Sequence, residues 1–286
     1  MQSTKDRRLS YDVDLWTAFE ETFSKPRLKY FFDMATLYDS SLSEPKRKDL
    51  ALQLCQWNVE LCESLYVPLQ YLEVALRNKF SKALADYCEN DHKNDHASEH
   101  WHLCKRWESD DKIKNMISEA NKEAESEKDY TDKNIFRKAL SEEGREGQKS
   151  VHNVIPALTF GFWVMIFRRE PEKTILQDRY SIIFACQDKK HPKFLRPNTM
   201  YDDVYPKLDR ILDLRNIIAH HGTIFDLELE QAYEEICYVL DLLCDTTCTA
   251  MKQRSNFSVV RNSKPEAYIL NRIKKSISTK NQNRQQ

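Results

Sequence analysis

Only four glycines occur in 286 residues, and no other feature of this chain narrows its fold as far. Sandwiches and barrels consume glycine at tight turns and bulges. A chain this poor in it, with 31% of its residues charged, points instead to long helices joined by few sharp turns. The apolar pattern agrees, since no segment alternates like a strand for long, whereas several repeat every three or four residues. The expected fold class is all-α. The length suits one large domain or two small ones and is ample for a buried core.

Charge is spread unevenly. The formal net charge is −1, yet residues 251–286 carry nine Lys or Arg against a single acid, Glu266. An acidic body with a basic tail suits contact with nucleic acid or an acidic surface; a solvated terminus is the plain alternative. The opening residues, MQSTKDRRLSYD, are polar throughout, so no secretory leader is expected. The longest apolar stretch, Val154 to Phe167, contains Pro156 and falls short of the roughly 18 residues of a membrane span. The eight cysteines include no Cys-x-x-Cys pair, and Cys55/Cys62 and Cys237/Cys244/Cys248 recur at the spacing of buried thiols on helices. The expected compartment is a reducing cytoplasm, with no membrane partner.

Periodicity and punctuation predict a short helix over 15–23, another over 28–42, and one opening at Ser43 and Pro45 and running to Tyr66. Pro68 is expected to kink or restart that helix, which continues to about Cys88. Residues 89–150 are strongly polar and are expected to form a helical insertion, with helices near 109–125 and 131–141 and a loop at Gly144/Gly147. A helix over 172–185 follows an apolar segment beginning at Val151. The next, over 202–221, carries the chain's most distinctive motif, with Gly222 placed as its C-terminal cap. One long helix is expected over 227–251, then a shorter one over 266–277. Residues 1–250 are thus expected to form a single domain and 251–286 a basic tail.

The motif is Arg215-Asn216-Ile217-Ile218-Ala219-His220. It places a permanent cation, an amide and an imidazole that titrates near neutral pH within one and a half helical turns. Those are the groups a metal-free ribonuclease needs. On a helix Asn216 and His220 share a face, while residues five apart diverge by about 140°. A single copy is therefore an imperfect site. Two copies across a two-fold axis would let one imidazole act as base and the other as acid, with His221 tuning or duplicating it. An echo, Leu76-Arg77-Asn78, lacks the imidazole but has Glu73 four residues earlier, the spacing of a surface ion pair.

Four strings in order carry a resemblance: Gln56-Trp57-Asn58; Leu72-Glu73-Val74-Ala75-Leu76-Arg77-Asn78; Leu158-Thr159-Phe160-Gly161-Phe162-Trp163; and Leu214-Arg215-Asn216 through Ala219-His220-His221. Over about residues 25–250 the chain resembles the Abi-like family, nearest the AbiF branch of bacterial abortive-infection proteins. That family resembles the HEPN superfamily of helical bundles, whose Arg-x4–6-His signature marks metal-independent endoribonucleases. The resemblance implies that Arg215 and His220 are catalytic, that Asn216 orients them or the substrate, and that Glu73, Arg77 and Asn78 pack near the same centre. It implies an RNA substrate, no cofactor, and a structured noncoding RNA as antitoxin. Gly222 stands where HEPN toxins controlled by a nucleotidyltransferase carry a tyrosine, so that form of control is not expected.

Arg261, Lys264, Arg272, Lys274 and Lys275 could track an RNA backbone. Cys88, His92, His96, His100, His102 and Cys104 could bind zinc, but their polar surroundings favour a solvated loop and no metal. A non-catalytic RNA-binding protein of the same fold, and a purely structural helical dimer, are the competing expectations.

Overall fold

The computed structural model describes residues 15–90, 111, 114–120, 122, 155–168, 176–184 and 197–265. Among them the regular structure is helical and no strand occurs, in line with the glycine-poor sequence. The helices are α1 (Leu15–Phe23), α2 (Lys25–Tyr38), α3 (Glu44–Asn90), α4 (Phe160–Arg168), α5 (Tyr180–Ile183), α6 (Pro197–Ala219), α7 (Leu229–Leu243), α8 (Asp245–Arg254) and α9 (Phe257–Asn262). None of the described helices is long and apolar enough to cross a membrane. The His-rich patch beyond Cys88, the 131–141 helix, the glycine loop, Arg272, Lys274 and Lys275 lie outside the described residues.

Several boundaries differ from expectation for local reasons. Helix α2 begins at Lys25, with Pro26 in its first turn, where a missing N–H costs nothing. It stops at Tyr38 because Asp39 turns extended and its carboxylate takes the Ser41 N–H at 3.0 Å, a local bond that competes with the helix. Helix α3 runs on through Pro68 rather than restarting there. The helix expected over 227–251 is two helices, divided at Cys244, whose backbone is extended at φ −169° and ψ 109°. The next residues, Asp245-Thr246-Thr247, favour helix starts, and Asp245 Oδ1 accepts the Thr246 N–H at 2.6 Å. In the expected 172–185 helix, residues 178–179 form a turn ahead of the four-residue α5.

The described residues divide into two compact units, and the division falls within α3. The first comprises residues 15–65, 222–227 and 255–265. Its centre is aromatic: Phe31 stacks on Phe225 with ring centroids 5.8 Å apart, and Trp57 lies 6.2 Å from the same ring. Asn58, buried beside them, accepts the N–H groups of Ile224 (2.7 Å) and Phe225 (3.3 Å) and donates to the Gly222 carbonyl (3.2 Å). Trp57 donates its indole N–H to the Val260 carbonyl at 3.0 Å, and the Arg261 guanidinium lies 5.5 Å over the indole. One Trp-Asn pair on α3 therefore fastens the 222–227 loop and α9 together.

The second unit comprises residues 66–90, 114–120, 155–168, 176–184, 197–221 and 228–254, with single residues at 111 and 122. Phe167 of α4 is its hub, with Phe80, Tyr180, Phe184 and Tyr201 all within 6.2 Å between ring centroids. Helix α6 packs on both α4 and α7. Its buried face, Val204, Leu208, Ile211 and Leu214, repeats every three or four residues as an amphipathic helix must.

Candidate functional site

Helix α6 presents the motif in a fixed rotational setting. Its apolar face holds one side, and an ion pair holds another: Arg210 grips the buried carboxylate of Glu235 on α7, with Nη2 2.6 Å from Oε1. Glu235 also accepts from Gln231 at 3.1 Å, and its carboxylate raises the already high basicity of Arg210 through this hydrogen bond. Where α4 packs against α6, Gly161 faces Leu212, with room there for an ordinary side-chain contact.

Arg215, Ile218 and Ala219 then line one wall of a cavity of about 310 Å³. Tyr66, Leu69, Gln70, Glu73, Val74 and Arg77 of α3 make the other, at helical spacings of three and four. All nine residues belong to the second unit. Arg215 Nε lies 3.7 Å from Glu73 Oε2, with 34% and 26% of their side chains exposed. A pair that long and that wet contributes less than about 1 kcal/mol. Glu73 thus pairs with Arg215 on another helix, and not with Arg77 at the i+4 position that its spacing suggested. Arg77 is half-buried, and its Nε is buried with no hydrogen-bond partner among the described residues.

Of the residues singled out from sequence, the cavity therefore gathers Glu73, Arg77 and Arg215. It does not gather the others. Asn216 is half-buried and Asn78 exposed, and neither lines it. His220 and His221 are exposed on the turn that ends α6. The His220 N–H still bonds the Asn216 carbonyl at 3.0 Å, so helical geometry carries to that residue and places its side chain about 100° around the axis from Ala219. His221 donates to the Ile218 carbonyl at 3.0 Å and adopts a left-handed conformation at φ 55°. His221, the residue before the expected cap Gly222, is thus itself left-handed. Such a backbone costs a non-glycine residue roughly 1–2 kcal/mol, less for His than for a branched side chain.

Arg261 and Lys264, expected on an RNA-tracking tail, differ from each other. Arg261 is buried, with its guanidinium over Trp57 and Nη1 donating to the Phe225 carbonyl at 3.4 Å, so it serves the first unit's core. Lys264 is half-exposed. No group of His, Cys, Asp and Glu among the described residues could hold a metal ion. Tyr66, which no motif flagged, lines the cavity with 62% of its surface exposed. It lies two helical turns before Glu73, on the same face, but spacing alone does not single it out.

A sequence model of the family described as Abi-like protein matches residues 22–226, more than two thirds of the chain. No curated protein and no solved structure matches.

Proposed function

The chain belongs to the Abi-like family, which suggests a role in abortive infection, and from that premise we propose that it is a metal-independent endoribonuclease of the HEPN type. In this reading the cavity between α3 and α6 receives an RNA phosphodiester. Arg215 stabilises the charge that develops on the phosphate oxygens, and the exposed His220 at the end of the same helix moves the proton. The 2′-hydroxyl forms a bond to its neighbouring phosphorus as the bond to the 5′ oxygen breaks. The products are a 2′,3′-cyclic phosphate and a 5′-hydroxyl. His220 takes the 2′ proton, and His220 of a second copy supplies one to the leaving oxygen, so the active form is a homodimer. Asn216 shares the His220 face and orients it. The inhibitor is a structured noncoding RNA, and the compartment is the cytoplasm.

The observation that carries this reading is the convergence of Arg215, Arg77 and Glu73 on one open cavity, lined in part by the helix that ends at the exposed His220. Growth arrest on expression, with fragmentation of cellular RNA, tests it. Both effects should vanish in His220→Ala while the protein accumulates normally; arrest that survives the change removes the nuclease. One observation favours a second reading: His220 does not itself line the cavity. If the cavity only holds RNA, the protein binds RNA without cutting it, and bound RNA will co-purify intact with the wild type.

A further inference from the structure

The α3 wall of the cavity has more recognition chemistry than cleavage requires. Arg77 and Arg215 bring two guanidinium groups to a space of about 310 Å³, and one carboxylate, Glu73, faces them. The Glu73 pair with Arg215 is long at 3.7 Å, and Arg77 Nε is desolvated without a partner among the described residues. A buried donor left unmatched is costly, and an arriving anion that accepts from it removes that cost. At the same cavity Tyr66 keeps 62% of its surface in solvent, where a ring is free to stack on a base. Leu69, Val74 and Ile218 add apolar lining to the cavity walls.

We propose that this cavity is a nucleotide subsite for single-stranded RNA, in which Arg77 anchors a phosphodiester, Tyr66 stacks the adjoining base, and Glu73 holds Arg215 until the phosphate displaces it. The site depends on the ribonuclease reading only for the identity of the ligand as RNA. Its binding properties stand apart from any cleavage. Glu73 acts here as an internal competitor for the anion: it keeps Arg215 oriented in the empty protein and opposes non-specific anions. Among the described residues Arg77 has no such competitor within ion-pair distance, which makes it the stronger anchor of the two.

The test uses the full chain and two probes, inorganic phosphate and a DNA dinucleotide, which carries a phosphodiester but lacks the 2′-hydroxyl. Binding is followed through the arginine Nε–H resonances of ¹⁵N-labelled protein, with those of Arg77 and Arg215 assigned by substitution. Both resonances should shift saturably. Arg77→Gln should weaken both probes by about ten- to a hundredfold, the loss of a charge-assisted bond. Glu73→Gln should tighten both by roughly three- to tenfold by removing the competing charge. Tyr66→Ala should weaken the dinucleotide alone by about tenfold or more, leaving phosphate unchanged, as loss of base stacking requires. Tyr66 and Glu73 are exposed enough that these variants test the site even if Arg77→Gln misfolds. No saturable shift at either arginine, or a dinucleotide that binds Tyr66→Ala as tightly as wild type, would overturn the proposal. Wild type that binds the dinucleotide but never cuts RNA would remove the nuclease and leave the subsite in place.

Discussion

Asn58 in the first unit and Arg77 in the second are both polar side chains set among apolar neighbours on α3, and they are treated in opposite ways. Asn58 meets three backbone groups of the 222–227 loop, and beside it Trp57 and Arg261 also find partners. Among the described residues Arg77 lines a cavity with its Nε unmatched, and Arg215 makes a long, wet ion pair with Glu73. A satisfied buried cluster holds a loop in one conformation. An under-satisfied one beside open space is a place for a ligand. The difference separates two polar motifs on one helix, Gln56-Trp57-Asn58 and Leu76-Arg77-Asn78, by whether their polar atoms are already spent on the fold.

The contrast can be broken most forcefully at Asn58. Asn58→Leu should destabilise the protein by about 2–4 kcal/mol, because the Ile224 and Phe225 N–H groups and the Gly222 carbonyl lose their partner together. Denaturant unfolding measures it, and a change under about 1 kcal/mol would show the loop does not need the clamp. Arg210→Met should cost about 1–2 kcal/mol, since it strips the buried Glu235 carboxylate of its guanidinium but leaves Gln231 in place. Arg77→Met should change stability by no more than about 0.5 kcal/mol, because it removes a donor that the fold does not use. A loss as large as that at Asn58 would make Arg77 structural.

Alkaline titration gives the mildest effect. Burial, then the hydrogen bond to Asp226 and that carboxylate's charge, push the Tyr30 phenol up to about 12. Its contribution is therefore complete below the ordinary tyrosine value of 10.0 and is lost as pH rises toward about 12, where the folded form also ionises. Melting temperature should fall more steeply across that window for wild type than for Tyr30→Phe. Parallel profiles would mean that the Tyr30–Asp226 bond is not made.

Much of this architecture was legible before any coordinates. Scarce glycine and three-four periodicity imply an all-helical chain, and α1 falls on the residues its apolar stripe marked. Arg215 stood out by its motif, the family resemblance implied that Glu73 and Arg77 pack near it, and the three are gathered in one cavity. What escaped was whatever depends on neighbours distant in sequence. Proline at position 68 reads as a kink or a restart, yet one helix runs through it, with Leu65, Leu69 and Leu72 buried on either side. Asp245-Thr246-Thr247 was hidden by the cysteine periodicity that spans it. Arg261 carries a charge that suggests a tail on RNA, and only the indole of Trp57 explains its burial. Asn58 had a motif but no visible purpose until the loop came round to it. Tyr66 gave no pattern at all, since a single exposed ring becomes meaningful only with two arginines beside it.

The central claim is that Arg215 and His220 cut RNA without a metal. Its most direct test is purified protein with single-stranded RNA in excess EDTA, the fragment ends identified and the rate compared with Arg215→Ala and His220→Ala. Cleavage should persist in EDTA, leave 2′,3′-cyclic phosphate ends, and fall at least about a hundredfold in either variant, each still folded. RNA left intact by the wild type, or cut equally well by both variants, would contradict it.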